Sequence, residues 1–411
     1  MTSADLALTA EEGPEPLDRR IARVGEALGR SLTEVLAALP EGDQGPQRLA
    51  VALGLDKVLM SRLLKAVRSG DPVAVAYHAP GPEPLRRFLR AARKAGVEPT
   101  LVGPAGQAVD AFEDLIRGHA GDRSSLAAMI SAWLPEARAE FELRRKQAAY
   151  RATSELKGVA AATNLATVLL HPNEDGQTLD VVWIAGLLGL TRLRPDAAIK
   201  LTTRRFAEMP EERRPATLDG DRVDGLEGLR LDDFCQAPPA ALEVREVGSA
   251  VQYLLGGDAF GKDSAVDLLL AEVNLAEMPR TVPAGSGRRG YVFAELGTPT
   301  RSLLFDVLVH DDVYPGSDPQ LVIYDTALDG VADVNDRTRD VDRVDMAETI
   351  APLGRGPERF RAPGVPRYQE LLAHVYQRMG WDGEAFRGYR CRIDYPIYGS
   401  QVAAVFDPPE A

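Results

Sequence analysis

At 411 residues the chain is too long for one ordinary hydrophobic core, so at least two domains are expected. Hydrophobic residues make up 45% and charged residues 27%, which excludes disordered and fibrous classes. A net charge of −13 excludes a general nucleic-acid coat, and two cysteines, Cys235 and Cys391, exclude a disulfide framework or thiolate zinc site and fit a reducing compartment. The longest uncharged apolar run, Val181 to Leu190, is about half the length of a membrane span, so no membrane partner is expected. The acidic start, MTSADLALTAEEGPEP, lacks the pattern of a secretory signal. A cytoplasmic location is therefore expected.

Residues 1–16 read as a loose polar arm. Ile21, Val24, Leu28, Leu32, Val35 and Leu36 then recur at helical spacing, which predicts an amphipathic helix over Arg20 to Leu39. After the loop EGDQGP comes QRLAVALGLDKVLMSRLLKAVR, Gln47 to Arg68, in which Ala50 is small where two helices would cross and Gly54 stands where a turn needs a positive φ. Leu49, Leu53, Leu55, Met60 and Leu63 fall on inward faces, and Asp56 is set to cap the second helix. That helix would turn Lys57, Ser61, Arg62, Lys65 and Arg68 outward, with Val58 free to meet a thymine methyl. These are helix-turn-helix positions. The stretch GLDKVLMSRLL, through Gly54, Lys57, Arg62, Leu63 and Leu64, resembles the recognition helix of IclR-type bacterial transcription regulators. The resemblance implies a DNA-binding three-helix head with double-stranded DNA as partner.

Charge agrees with that reading, because Pro46 to Gly96 holds ten Lys or Arg against three Asp or Glu, while the remainder holds 38 against 58. A basic module on an acidic body would favour one orientation on DNA. Val73 to Tyr77 reads as a short strand and Leu85 to Ala95 as a helix bearing Arg86, Arg87, Arg90, Arg93 and Lys94. A wing would need two strands, so Arg86 and Arg90 are expected to take over its phosphate contacts.

From Gln107 to about Gly158 the pattern is helical, with Leu126, Met129, Ile130, Trp133 and Leu134 as one apolar face. It is expected either to connect head and body and pair with its copy in a homo-oligomer, or to pack within one chain. Strands are expected at Thr163 to His171 and Leu179 to Leu188 around the turn PNEDGQ, and at Ala241 to Val247, Tyr291 to Leu296, Leu303 to His310, Leu321 to Asp325, Arg390 to Tyr395 and Gln401 to Phe406. Helices are expected at Pro195 to Ala207, Ser264 to Ala276 and Pro366 to Met379, and exposed loops at Met209 to Gly228 and Asp329 to Arg361. The fold class is thus α+β: a head over residues 17–104, a helical connector over 105–160, and a mainly antiparallel sheet with helices over 161–411.

Four stretches of the C-terminal part carry candidate chemistry. GGDAFGKDS, Gly256 to Ser264, nearly spells a phosphate-binding loop, with Lys262 on phosphate and Asp325 on magnesium, but Asp263 stands where a hydroxyl belongs. GSGRRG, Gly285 to Gly290, precedes a strand where a dinucleotide site needs a helix, although Arg288 and Arg289 could hold an anion. His310, Asp311 and Asp312, and Asp329, Asp333, Asn335 and Asp336, lack the spacing of a metal site. YRCRIDYPIY, Tyr389 to Tyr398, reads first as core aromatics and second as a ligand or peptide face. No catalytic residue, cofactor or metal is assigned. The reading that results is a DNA-binding regulator whose C-terminal domain senses a small-molecule effector or mediates assembly. The alternatives are a nucleotide-dependent enzyme and an assembly protein whose helix-turn-helix contacts protein.

Overall fold

Six spaced apolar residues, Ile21, Val24, Leu28, Leu32, Val35 and Leu36, form the buried face of α1 (Leu17–Ala37), the helix around which the N-terminal part packs. The computed structural model describes residues 15–40, 45–195, 197–204, 215–222, 225–235, 241–247, 250–257 and 259–411. Most of the expected arm, most of the EGDQGP loop and part of the loop expected at Met209 to Gly228 lie outside them. The chain divides into two compact units, Met1–Glu142 and Leu143–Ala411.

In the first unit α1 is followed by α2 (Pro46–Leu53), α3 (Lys57–Arg68), α4 (Pro72–His78), α5 (Pro82–Lys94), α6 (Pro99–Leu115), α7 (Arg123–Ser131) and the start of α8 (Pro135–Lys157). The strand expected over Val73 to Tyr77 is helix α4. Asp71 Oδ2 accepts the amide of Ala74 at 2.8 Å and Pro72 takes the first helical position, so a capped start overrides the β-branched valines. Gly25 makes room for it: a Cβ there would lie 1.9 Å from the Pro72 carbonyl oxygen. Ala105, Val109, Phe112 and Leu115 of α6 and Leu126 and Ile130 of α7 join the same core as α1. Much of the stretch expected as a connector is therefore core of the helical unit. The apolar face expected to run to Leu134 fades at Trp133, which is 47% exposed.

Among the described residues the second unit contains the rest of α8, twelve strands and α9. The strands are β1 (Val159–Pro172), β2 (Thr178–Arg192), β3 (Lys200–Arg204), β4 (Leu242–Val247), β5 (Ala250–Leu255), β6 (Val266–Pro279), β7 (Gly290–Glu295), β8 (Thr300–His310), β9 (Gln320–Asp325), β10 (Ile350–Arg355), β11 (Phe386–Asp394) and β12 (Ser400–Phe406), and the helix is α9 (Tyr368–Met379). A six-stranded sheet has the order β10-β11-β8-β1-β2-β6, and β1 with β8 is its parallel pair. Two three-stranded sheets have the orders β7-β12-β9 and β3-β5-β4. The mainly antiparallel α+β architecture agrees with expectation.

Alternation along β1 and β8 separates two cores. Leu165, Leu169, Leu304 and Leu308 pack with Leu371, Leu372 and Val375 of α9. Val168, Leu170, Phe305 and Val307 pack with Val292, Val402 and Phe406 of β7 and β12. Helix α9 therefore covers one face, in agreement with the expectation of helices on one side of the sheet, and a second sheet covers the other.

Two expected helices are strands. Ser264 to Ala276 falls mostly in β6, which pairs antiparallel with β2 from Leu190↔Val266 to Thr178↔Pro279. A long strand with an open edge outweighs the helical preference of a leucine run. Gly186 of β2 admits the closeness, since a Cβ there would lie 2.5 Å from Leu269 Cδ2. Within Pro195 to Ala207, residues Lys200–Arg204 form β3 and pair with β5. The loop expected over Asp329 to Arg361 contains β10, which pairs with β11.

Candidate nucleic-acid interface

The turn between α2 and α3 is built from three residues. Gly54 closes α2 at φ 60°, ψ 38°, and the Leu55 amide reaches back to the Ala50 carbonyl at 2.8 Å. This left-handed close is cheap for glycine and strained for other residues. Asp56 caps α3, its Oδ1 accepting the amides of Val58 at 2.7 Å and Leu59 at 3.2 Å. Leu49, Ala50, Met60 and Leu63 are buried, and Leu53 and Leu55 are half-buried against the same core.

The opposite face of α3 is open. Lys57, Ser61, Arg62, Lys65 and Arg68 are all exposed, and Val58 is 65% exposed beside them. Lys65 Nζ lies 3.1 Å from Glu140 Oε2, whereas Lys57, Arg62 and Arg68 make no ion pair among the described residues. Surface pairs such as Lys65 with Glu140 add little stability and exchange readily for another anion.

On α5 the basic residues split into two sets. Arg86 is half-buried and reaches Asp110 Oδ1 at 2.6 Å and Glu113 Oε2 at 2.5 Å on α6. These carboxylates hold its guanidinium pKa well above the ordinary value, and it ties α5 to α6. The guanidinium expected to meet phosphate thus has two acidic partners within its own unit. Arg90 is exposed and pairs with exposed Glu83 at 2.8 Å. With Arg87 and Lys94 it lines a cleft of about 400 Å³ whose other wall is Leu53, Gly54 and Leu55. The turn and the basic face of α5 are thus neighbours, a juxtaposition that sequence spacing does not reveal.

One residue here escaped sequence reasoning altogether. The Arg123 guanidinium donates to the carbonyls of Ala76, Tyr77 and Ala79 at 3.0, 2.5 and 3.3 Å, closing the C-terminal end of α4. Its charged carbon lies 5.6 Å from the centre of the Phe112 ring. Burial, and secondarily the positive charge of Arg62, lower its pKa to about 10.

The second unit turns most of its candidate motifs into structure. The loop Gly256 to Ser264 leads into β6 rather than a helix, and its Gly257 and Ala259 carbonyls accept from Arg192. Arg192 donates to Leu255 at 2.9 Å, to Ala259 at 3.2 Å and to Gly257, and to Ala197 at 2.9 Å. A phosphate loop presents amide N–H groups instead, so this loop does not have the expected phosphate-binding context. Lys262 is exposed, and Asp325 Oδ1 accepts the amide of Ala327 at 2.9 Å. In GSGRRG the Arg289 Nε lies 2.6 Å from Asp407 Oδ1, which answers its charge.

The acidic loop after β9 is held by a cationic side chain of its own. Arg339 donates to the carbonyls of Gly330 at 2.8 Å, Val331 at 3.3 Å and Asp329 at 3.4 Å, and to Asp342 Oδ2 at 2.5 Å. His310 Nδ1 accepts the Asp312 amide at 3.2 Å, and Asp311 pairs with Arg355. Among the described residues no group of three or more His, Cys, Asp or Glu has metal-binding geometry.

In the C-terminal stretch Tyr389, Cys391 and Ile393 are buried and Tyr395 is half-buried, whereas Arg392, Asp394, Ile397 and Tyr398 are exposed. Arg390 donates to both oxygens of buried Asp306 at 2.7 Å, and Tyr368 of α9 donates to Asp306 Oδ2 at 2.7 Å while its hydroxyl meets Thr167 Oγ1 at 2.8 Å. Burial chiefly raises the Tyr368 pKa well above the ordinary value, keeping the phenol protonated as a donor. Cys391 is buried, which pushes its thiol up to about 12. An open cavity of about 290 Å³ in this unit is lined by Thr217, Asp219, Arg222, Leu275 and Arg378, with Arg378 and Asp219 2.5 Å apart. No family model, curated protein or solved structure matches the chain.

Proposed function

We propose that the helical unit binds double-stranded DNA and that α2 and α3 act as its helix-turn-helix, with α3 in the major groove. The observation that carries this reading is the outward stripe of α3, where Lys57, Ser61, Arg62, Lys65 and Arg68 stand exposed. A helix of 12 residues is about 18 Å long and fits a groove about 12 Å wide. In this reading Lys57 and Ser61 meet base edges near the helix start, Val58 meets a thymine methyl, and Arg62, Lys65 and Arg68 meet guanine edges or phosphates. Arg87, Arg90 and Lys94, across the cleft from the turn, take the adjoining backbone. The second unit, with its cavity, is the sensing or assembly part of a transcription regulator. Among the described residues no helix is long and apolar enough to cross a membrane.

The test is enrichment of bound fragments from a random DNA pool at two salt concentrations, with the full chain and with Lys57→Ala/Arg62→Ala. A short motif enriched by the wild type is expected, with affinity lost by at least about tenfold in the variant and a salt slope smaller by roughly two. The melting temperature should stay near wild type, because neither side chain makes a described ion pair. Equal and motif-free binding by both proteins would overturn the reading.

A further inference from the structure

β4 is an outer strand of its sheet, and among the described residues only β5 pairs with it. Two other outer strands are partly blocked, since Ala216 and Arg230 bridge to β6 and Arg343 bridges to β9. In β4 every residue from Glu243 to Val247 is exposed, with Val244 at 50% and Val247 at 52%. An edge left open among the described residues is a template for another strand.

Backbone geometry says which groups are offered. The Gly256 amide donates to the Ala241 carbonyl at 2.7 Å, so Ala241 faces β5. Alternation then turns the backbone groups of Glu243 and Arg245 to β5 and those of Leu242, Val244 and Glu246 outward. A second β4 laid antiparallel must therefore pair an even-numbered residue with an even-numbered one. Three two-fold registers satisfy this, centred on residue 243, 244 or 245. The first sets Glu243 against its own copy and the third sets Arg245 against its own copy. The central one sets Glu243 opposite Arg245 twice, in the non-hydrogen-bonded positions where side chains are closest, and Val244 opposite Val244 on the other face.

We propose that β4 pairs with β4 of a second copy of this chain, antiparallel and two-fold symmetric about Val244. The strand of six residues gives a small contact, so the dimer forms in a concentration-dependent equilibrium and extends two three-stranded sheets into one continuous sheet. The proposal stands apart from the DNA reading and uses none of its residues.

Sedimentation velocity of the full chain over a wide concentration range tests it. Glu243→Arg alone opposes arginines and Arg245→Glu alone opposes glutamates, and each should weaken the dimer about fivefold to tenfold. Mixing the two single variants should restore a heterodimer, because every opposed pair is then Arg with Glu. Val244→Pro should abolish the dimer while the melting temperature holds, since that N–H is outside the β5 ladder. A wild type that stays monomeric at all concentrations would overturn the proposal, as would a dimer indifferent to Val244→Pro or single variants that the mixture fails to rescue.

Discussion

On α3, Lys57, Arg62 and Arg68 stand in solvent with no ion pair among the described residues, whereas in the β-rich unit Arg192, Arg339 and Arg387 are turned onto backbone carbonyls. Arg387 donates to His310 at 3.0 Å, Val313 at 2.8 Å and Tyr314 at 3.0 Å, just as Arg192 and Arg339 gather the carbonyls of their own loops. A guanidinium has five donors in a fixed fork, and loops leave carbonyls that no ladder satisfies. Cations used this way organise a fold and are closed to a partner. The contrast teaches that a count of basic residues says little about nucleic acid until one knows which of them are already matched.

The sharpest break of that contrast is at Asp306, where a buried carboxylate answers Arg390 and Tyr368 together. Asp306→Ala should cost about 3–5 kcal/mol in urea unfolding, because it leaves a guanidinium and a phenol without their common acceptor. A loss below about 1 kcal/mol would mean that the cluster is not a structural weld between α9 and the sheet. Next in size is Arg192→Met, which should cost roughly 2–3 kcal/mol by stranding the carbonyls it now collects. Lys262→Ala, in the loop that Arg192 holds but itself exposed, should change stability by less than about 0.5 kcal/mol. Equal effects of the two substitutions would remove the distinction between a loop built on Arg192 and one that presents Lys262.

How far the fold could be read depended on whether the deciding contact was local. Gly54, Asp56 and the apolar spacing of α3 act within a few residues, so the turn, the cap and the outward stripe were all legible. The hairpin of β1 and β2 was legible for the same reason: Asp175 accepts the amides of Gln177 and Thr178 within its own turn at 2.7 and 2.8 Å. β6 was not, because its state is decided by an open edge of β2 between 76 and 101 residues earlier in the chain. The candidate interface divides likewise. Exposure of Arg62 follows from helical period, but the matching of Arg86 by Asp110 and Glu113 crosses 24 and 27 residues and has no local signature. The place of β4 at a sheet edge is also a property of the assembled sheet, invisible in LEVREV itself.

The smallest effect concerns a cation that the β-rich unit keeps neutral. His171 stacks flat on Trp381, with centroids 4.5 Å apart and planes 4° apart, and meets His310 edge-on at 4.8 Å. Burial lowers its pKa from the ordinary 6.5, opposed by the bond of its Nδ1 to the Pro172 carbonyl at 2.8 Å. A lowered folded value means that the unfolded chain takes up the proton first as acidity rises. The contribution of this ring to stability is therefore fully present above pH 6.5 and is lost as pH falls through 6.5 towards the lowered folded value. Unfolding measured at steps from roughly pH 7 to pH 5 should show a shallower acid decline in His171→Phe, which keeps an aromatic ring on Trp381 but cannot take a proton. An unchanged decline would assign the acid sensitivity to other groups and leave His171 as a packing ring alone.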